Sequence, residues 1–242
     1  MRAWLIGMLL LVAAPSFAAP DYAREKKWAD EITPGIVVGD PVYIEQANKH
    51  KFLGIHTETA GAPMGLIVVH GIGIHPDWGM VGTLRQSLAD QGYTTLSIQM
   101  PILTVDAQAG AYAPTMPEAA ERLQLAANFL KAKGYRKIAI VSHSMGSSMS
   151  HEYMAKNPAD IVAWASLGLG GKDSYAGIKA PVLDLYGAKD LPGVLSGARN
   201  RLASLKGNPA SQQVVIPNAD HFFANHEDAM VKAVKDFLDS VK

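Results

Sequence analysis

The sequence has no cysteine. That removes disulfides, thiolate metal sites, cysteine nucleophiles and a lipid-modified cysteine anchor. Charge of one sign is also missing, since 22 basic and 22 acidic residues cancel and form no stripe or block. Nucleic acid and anionic membrane surfaces are therefore not expected partners. No HExxH occurs, and the pairs His70/His75 and His221/His226 miss the i, i+4 spacing that puts two metal ligands on one helix face. Walker and GxGxxG patterns are absent, and LGLGG at Leu167–Gly171 lacks their spacing and reads as a tight loop. No metal or other cofactor is expected.

Nor does any apolar run reach the roughly 20 residues that a helix needs to cross a bilayer. Ala3–Ala14 (AWLIGMLLLVAA) follows the basic start Met1-Arg2 and is broken by Pro15. At about 12 residues it has the length and order of a secretory signal. Ser16 and Ala18 put small residues at −3 and −1, and a cut after Ala19 would leave Pro20 directly behind the scissile bond. Cleavage is thus expected after Ala18, giving a periplasmic or secreted protein with no stable membrane anchor. Without disulfides such a chain needs a real hydrophobic core, and 48% of its residues are hydrophobic.

What remains divides into a leader, Ala19–Pro41, whose prolines suggest a mobile segment, and one domain, Val42–Lys242. Pro41–Glu45 and Lys51–Thr59 read as a hairpin turning at Asn48–His50. Gly65–His70 (GLIVVH) is a continuous apolar run, the pattern of a strand buried on both faces. Further strands are expected at Thr94–Gln99, Lys137–Val141, Ile161–Leu167, Val182–Tyr186 and Gln213–Ile216. Helices are expected at Val81–Gln91, Pro117–Lys133, Ser147–Lys156, Leu195–Leu205 and Glu227–Val241, with a long loop at Ile102–Met116. Alternating strands and helices imply an α/β fold, a mostly parallel sheet wrapped on both faces. In such sheets the site lies beyond the carboxyl ends of the strands.

One of those ends reads KIAIVSHSMGSS, Lys137–Ser148. A nucleophile on a sharp strand-to-helix turn needs small residues two positions either side, because the two backbones nearly touch there. Ser144, between Ser142 and Gly146, meets both size and place. Ile140 excludes Ser142, Met145 excludes Ser147, and Ser148 sits a turn inside the helix. The alternative is a small-residue loop with no chemistry. A serine needs a base and an orienting acid, and later strand ends offer His221 in QQVVIPNADHF and Asp190 in APVLDLYGAKD. Asp184 lies inside the strand, and Asp220, adjacent to His221, is poorly placed to face it. Amide donors for an oxyanion are expected from Met145 and from Ile72 in HGIG.

HGIG, SHSMG, GAKD and NADH, in that order and each after a strand, resemble the α/β-hydrolase superfamily over nearly all of Val42–Lys242. More narrowly, HGIGIHPDWGMVGTLRQSLADQGYTTLSIQMPIL resembles a family of exported proteobacterial proteins of unassigned function, themselves α/β-hydrolase-like. That narrower resemblance implies a periplasmic address but no substrate. Two departures stand out: Ser142 replaces the first glycine of the usual G-x-S-x-G, and MPILTVDAQAGAY replaces an aspartate-arginine-glycine loop. The short stretch from Ser144 to Asp190 leaves no room for a cap domain. Any covering element must come from His75–Met80 or Ile102–Met116, and Trp78, Met100, Leu103, Tyr112 and Met116 are candidate pocket walls, with ordinary packing as the alternative for each; His70 and Gly71 are further substrate-binding candidates. The expectation is a carboxylic ester hydrolase working through an acyl-enzyme on a small-molecule ester or acyl substrate. The alternative is a non-catalytic binding or envelope-assembly protein on the same scaffold.

Overall fold

A computed structural model describes residues 19–171 and 174–241; the expected signal peptide, Met1–Ala18, lies outside them. A helix α1 (Tyr22–Ile32) precedes the hairpin β1 (Asp40–Glu45) and β2 (Lys51–Thr57). The alternation then runs β3 (Gly65–Val69), α2 (Gly79–Asp90), β4 (Thr94–Ile98), α3 (Met116–Ala132), β5 (Ile138–His143) and α4 (Met145–Met154). It closes with β6 (Ile161–Leu167), β7 (Val182–Gly187), α5 (Pro192–Leu205), β8 (Gln212–Ile216) and α6 (Glu227–Ser240). The eight strands form one sheet in the order β1-β2-β4-β3-β5-β6-β7-β8. β2 pairs antiparallel with β1 and β4, and all pairs from β4 to β8 are parallel. The mostly parallel sheet with helices on both faces is present as expected, and among the described residues no cap domain is evident.

Strict alternation along the central strands builds the two cores. Ile67, Val69, Ile138 and Ile140 face α3 and α4, while Leu66, Val68, Ala139 and Val141 face α2 and α6. From β3 the chain goes first to β4 on one side, then crosses to β5 on the other. Beyond the carboxyl ends of β3 and β5 it therefore leaves a crevice that no crossover fills.

The leader differs from its expectation. Residues 22–32 form a docked helix, capped by Asp21, whose side chain accepts the Arg24 N–H at 3.0 Å. Pro20 and Pro34 bracket α1 rather than interrupt it, which is where proline is compatible with a helix. Glu25 from α1 is buried and meets the fully buried Arg122 of α3, Oε2 to Nη1 at 3.0 Å. Burying that carboxylate is tolerable only because it is paired, so α1 belongs to the domain. The long loop before α3 also contains a 3-10 segment, Ala109–Thr115.

A second buried ion pair accounts for Asp184. Arg201 of α5 donates through Nε to both of its carboxylate oxygens, at 3.0 and 2.9 Å, and both side chains are fully buried. Tyr175 Oη at 2.8 Å and Gln213 Nε2 at 2.7 Å complete the shell. Removing one partner of such a pair strands a buried charge, at a cost of about 3–5 kcal/mol. Asp184→Ala is expected to lose stability on that scale in urea unfolding. Asp236→Ala, which only breaks an exposed i, i+4 pair with Lys232, should lose at most about 0.5 kcal/mol; equal losses would refute this account.

Candidate active site

Ser144 sits between the end of β5 and the first residue of α4, with φ +55° and ψ −122°. A non-glycine residue there carries about 1–3 kcal/mol of local strain, held only where surroundings over-determine it. Gly146 is part of that constraint: a Cβ added there would collide with the His70 carbonyl and with Val69. Ser142, the departure from glycine, is buried and occupied. Its hydroxyl accepts the Trp164 indole N–H at 2.8 Å and lies 3.1 Å from the Ser147 hydroxyl. The extra oxygen therefore serves an indole from β6 that would otherwise lack a partner. Gly71 makes the approach from the other side, since a Cβ there would stand 3.2 Å from Ser144 Cβ.

The chain of side chains expected from sequence is assembled. Ser144 Oγ lies 2.8 Å from His221 Nε2, and His221 Nδ1 lies 2.6 Å from Asp190 Oδ1. Burial pushes the Asp190 carboxyl up, but the hydrogen bond and charge of His221 and the amides of Leu191 and Gly187 outweigh it, so its pKa is lowered. An ionised Asp190 can only accept, so His221 carries its proton on Nδ1 and leaves the Nε2 lone pair to the Ser144 hydroxyl. His143, which the sequence reading did not single out, holds the other side of this histidine. Its Nε2–H donates to the His221 carbonyl at 2.9 Å. Its position directly before the serine was the only hint, and a hint shared by any strand-end residue.

The loop after β3 is fixed through His70. Met100 N–H donates to His70 Nε2 at 2.9 Å, which places the ring proton on Nδ1, and Nδ1–H donates to the Gly71 carbonyl at 2.8 Å. Because the Gly71–Ile72 peptide is trans, the Ile72 N–H points the opposite way from that anchored carbonyl. Met145 opens α4, and an amide at that position has no carbonyl one turn back to bond.

The chain as a whole has counterparts among known proteins. Residues 38–121 match a family described as "Protein of unknown function (DUF3530)", and no curated protein matches the chain. Among solved structures, the chain is similar to a dienelactone hydrolase from Anabaena variabilis at 22% identity and TM-score 0.67, covering 81% of this chain and 96% of that one. A serine hydrolase without lid from Xanthomonas campestris aligns at 15% identity and TM-score 0.66, over 84% and 94% of the two chains. A thermophilic esterase from Thermogutta terrifontis aligns at 15% identity and TM-score 0.60, over 84% and 99%. The chain has the α/β-hydrolase fold.

In this α/β-hydrolase fold a cleft of about 330 Å³ opens beside Ser144 and His221. Met145, Gly168, Gly170, Leu191 and Val194 form much of its wall. LGLGG, read from sequence as a tight loop, thus lines the cleft, and Gly168 at φ +58° lets the backbone pass against the His221 ring. A groove of about 490 Å³ between α1 and the β1–β2 hairpin is larger, but neither Ser144 nor His221 lines it. Among the described residues no three His, Asp or Glu side chains converge as a metal site would need.

Several pocket candidates are placed elsewhere. Met100, Leu103 and Tyr112 are buried in the core, and Tyr112 Oη accepts the Leu103 N–H at 3.1 Å. His70 is buried with both ring nitrogens engaged. These residues back the loops rather than face a substrate, because Ile102, Leu103 and Tyr112 of the loop turn into the core, while Ala109 of the same loop lines the cleft. Met116, only partly buried, packs against the same core. Gly71 is buried against Ser144. Trp78 does reach the surface, edge-on to Phe222 at 5.6 Å between ring centroids, and Phe222 adjoins His221.

Burial lowers His70 to about 3. Burial, then the nearby His221, lowers His143 to about 4. Both stay neutral in the folded protein where unfolded histidine, near 6.5, takes a proton. Between those values the unfolded chain binds more protons, so stability rises with pH and falls on acidification. Each histidine contributes a slope of up to about 1.4 kcal/mol per pH unit below pH 6.5. Urea midpoints measured from pH 7 to pH 4.5 should fall accordingly, and less steeply in His143→Gln; an unchanged midpoint over that range would contradict the assignment.

Proposed function

We propose that the protein is a serine hydrolase acting on carboxylic esters through an acyl-enzyme. The observation that carries this reading is the unbroken chain Asp190–His221–Ser144, with 2.6 and 2.8 Å contacts, ending on a strained serine beside an open cleft. Ser144 Oγ would attack the ester carbonyl carbon while its proton passes to His221 Nε2. The negative charge that develops on the carbonyl oxygen would be held by the Ile72 and Met145 amides; losing one such donor typically costs about 10²–10³ in kcat. Asp190 would keep the imidazole in the right tautomer and stabilise its cation. On collapse of the tetrahedral intermediate the C–O bond to the alcohol breaks, and the leaving oxygen takes the proton from Nε2. Water, deprotonated by the same nitrogen, would then release the acid and regenerate Ser144.

Met145, Leu191 and Val194, with the three glycines of the LGLGG loop, make the cleft apolar and smooth, which suits an acyl chain better than a charged group. An exported address is part of this reading and rests on residues 1–18. The dienelactone hydrolase and esterase neighbours, similar in fold, support ester chemistry by analogy only.

A fluorophosphonate probe tests the reading on the intact protein. Wild type should gain one adduct on Ser144, and Ser144→Ala none. Turnover of p-nitrophenyl esters should drop by at least about 10⁴-fold in Ser144→Ala, and across an acyl-chain series kcat/KM should rise until the cleft is filled. A folded wild type that neither labels nor turns over would instead mark a binding protein on a hydrolase scaffold.

A further inference from the structure

The guanidinium of Arg24 lies outside the sheet, on α1, yet it donates to carbonyls of two different strand-end loops. Nη2 reaches the Gly73 oxygen at 2.9 Å and Nη1 the Leu103 oxygen at 2.7 Å. Gly73 is the turn of the loop that carries Ile72 and has φ +62°. Ile72 itself is 36% exposed, so its own side chain fixes the loop little, and Ile74 supplies the apolar contact with the core. Around Ile72 polar contacts hold the backbone: the Gly71 carbonyl is held by His70, the Gly73 carbonyl by Arg24 and the Ile74 carbonyl by Gln99 Nε2 at 3.4 Å. The last of these also leads back to α1. Glu25 anchors Arg122, Arg122 Nη1 donates to the Gln99 carbonyl at 3.0 Å, and the Gln99 side chain lies 3.0 Å from His70 Nε2. Arg24 is held over the Trp28 ring at 4.4 Å, and Trp28 packs edge-on to His75 at the far end of the same loop.

We infer that α1 is a strap for the oxyanion loop and that Arg24 is a positioning residue, fixing the Gly73 carbonyl so that the Ile72 amide stays aimed at the reacting oxygen. A planar guanidinium suits this task because its donors are fixed in a fork and can serve two carbonyls at once. The inference rests on the ester-hydrolase reading above. Removing the fork loosens the loop without altering Ser144 or His221. A misplacement of about 1 Å in such a donor is enough for a loss on the order of 10²-fold.

The test uses the full chain with p-nitrophenyl butyrate. Arg24→Ala should lower kcat by about 10- to 100-fold while KM changes less than about threefold, as expected when only a transition-state contact is weakened. Added methylguanidinium should restore part of that kcat in Arg24→Ala and none in Ser144→Ala. Arg24→Lys, whose single ammonium cannot reproduce the fork, should fall between wild type and Arg24→Ala, and it carries the test if Arg24→Ala does not fold. Lys26→Ala, on the exposed face of α1, should behave as wild type. A folded Arg24 variant with wild-type kcat, or a loss that methylguanidinium leaves untouched in Arg24→Ala, would overturn the inference. Fluorophosphonate labelling of wild type separates the two claims: a wild type that labels and turns over beside an unaffected Arg24 variant sinks only the strap, whereas an unreactive wild type sinks the hydrolase reading.

Discussion

The backbone at Ser144 must turn from a buried parallel strand into a helix within one residue, at a positive φ that a side chain resists. That single constraint organises its surroundings. β3 and α4 press together so closely that Gly146 admits no Cβ. The loop after β3 then runs directly beside the serine, and at Gly71 an added Cβ would stand only 3.2 Å from Ser144 Cβ. The hydroxyl of Ser142 fits because Trp164 and Ser147 use it, so the departure from glycine adds a buried hydrogen bond at a position that usually carries no side chain.

Around this turn the protein separates two kinds of buried polar group. Asp184 and Arg201 satisfy each other deep under α5 and face no cleft. Asp190 is equally buried but spends one oxygen on His221, which stands at the cleft. The histidines divide in the same way. His70 and His143 are kept neutral by burial and serve as fixed struts, one on the Gly71 carbonyl and one on the His221 carbonyl. His221 alone presents a free ring nitrogen to a hydroxyl. Buried polar groups tied to backbone or to each other hold shape, and the ring nitrogen that faces a hydroxyl at the cleft is the chemical candidate.

Much of this was legible in the sequence because parallel strands write continuous apolar runs and the residues after them have few places to go. KIAIV, VLDLY and QQVVI located the ends from which Ser144, Asp190 and His221 project, and the size rule together with place at the strand end singled out Ser144. Less legible was anything that depends on which way a loop folds. Met100, Leu103 and Tyr112 look like pocket walls in one dimension but pack inward, since the apolar faces of α3 and the sheet offer more burial than the cleft. Helix α1 was hidden because prolines at its borders read like prolines throughout, and because its buried Glu25 resembles a surface charge until Arg122 is seen opposite it. Arg24 had no local signal: its partners are backbone carbonyls far away in the chain.

As proposed above, Ser144 is a working nucleophile whose acyl-enzyme forms before water completes the cycle. Rapid mixing of the enzyme with p-nitrophenyl acetate, followed by acid quench and mass spectrometry of the intact protein and its peptides, addresses this directly. A burst of close to one p-nitrophenol per protein, with an acetyl group recovered on Ser144, is the predicted result. Turnover without a burst or adduct, or acetylation at another residue that survives Ser144→Ala, would contradict it.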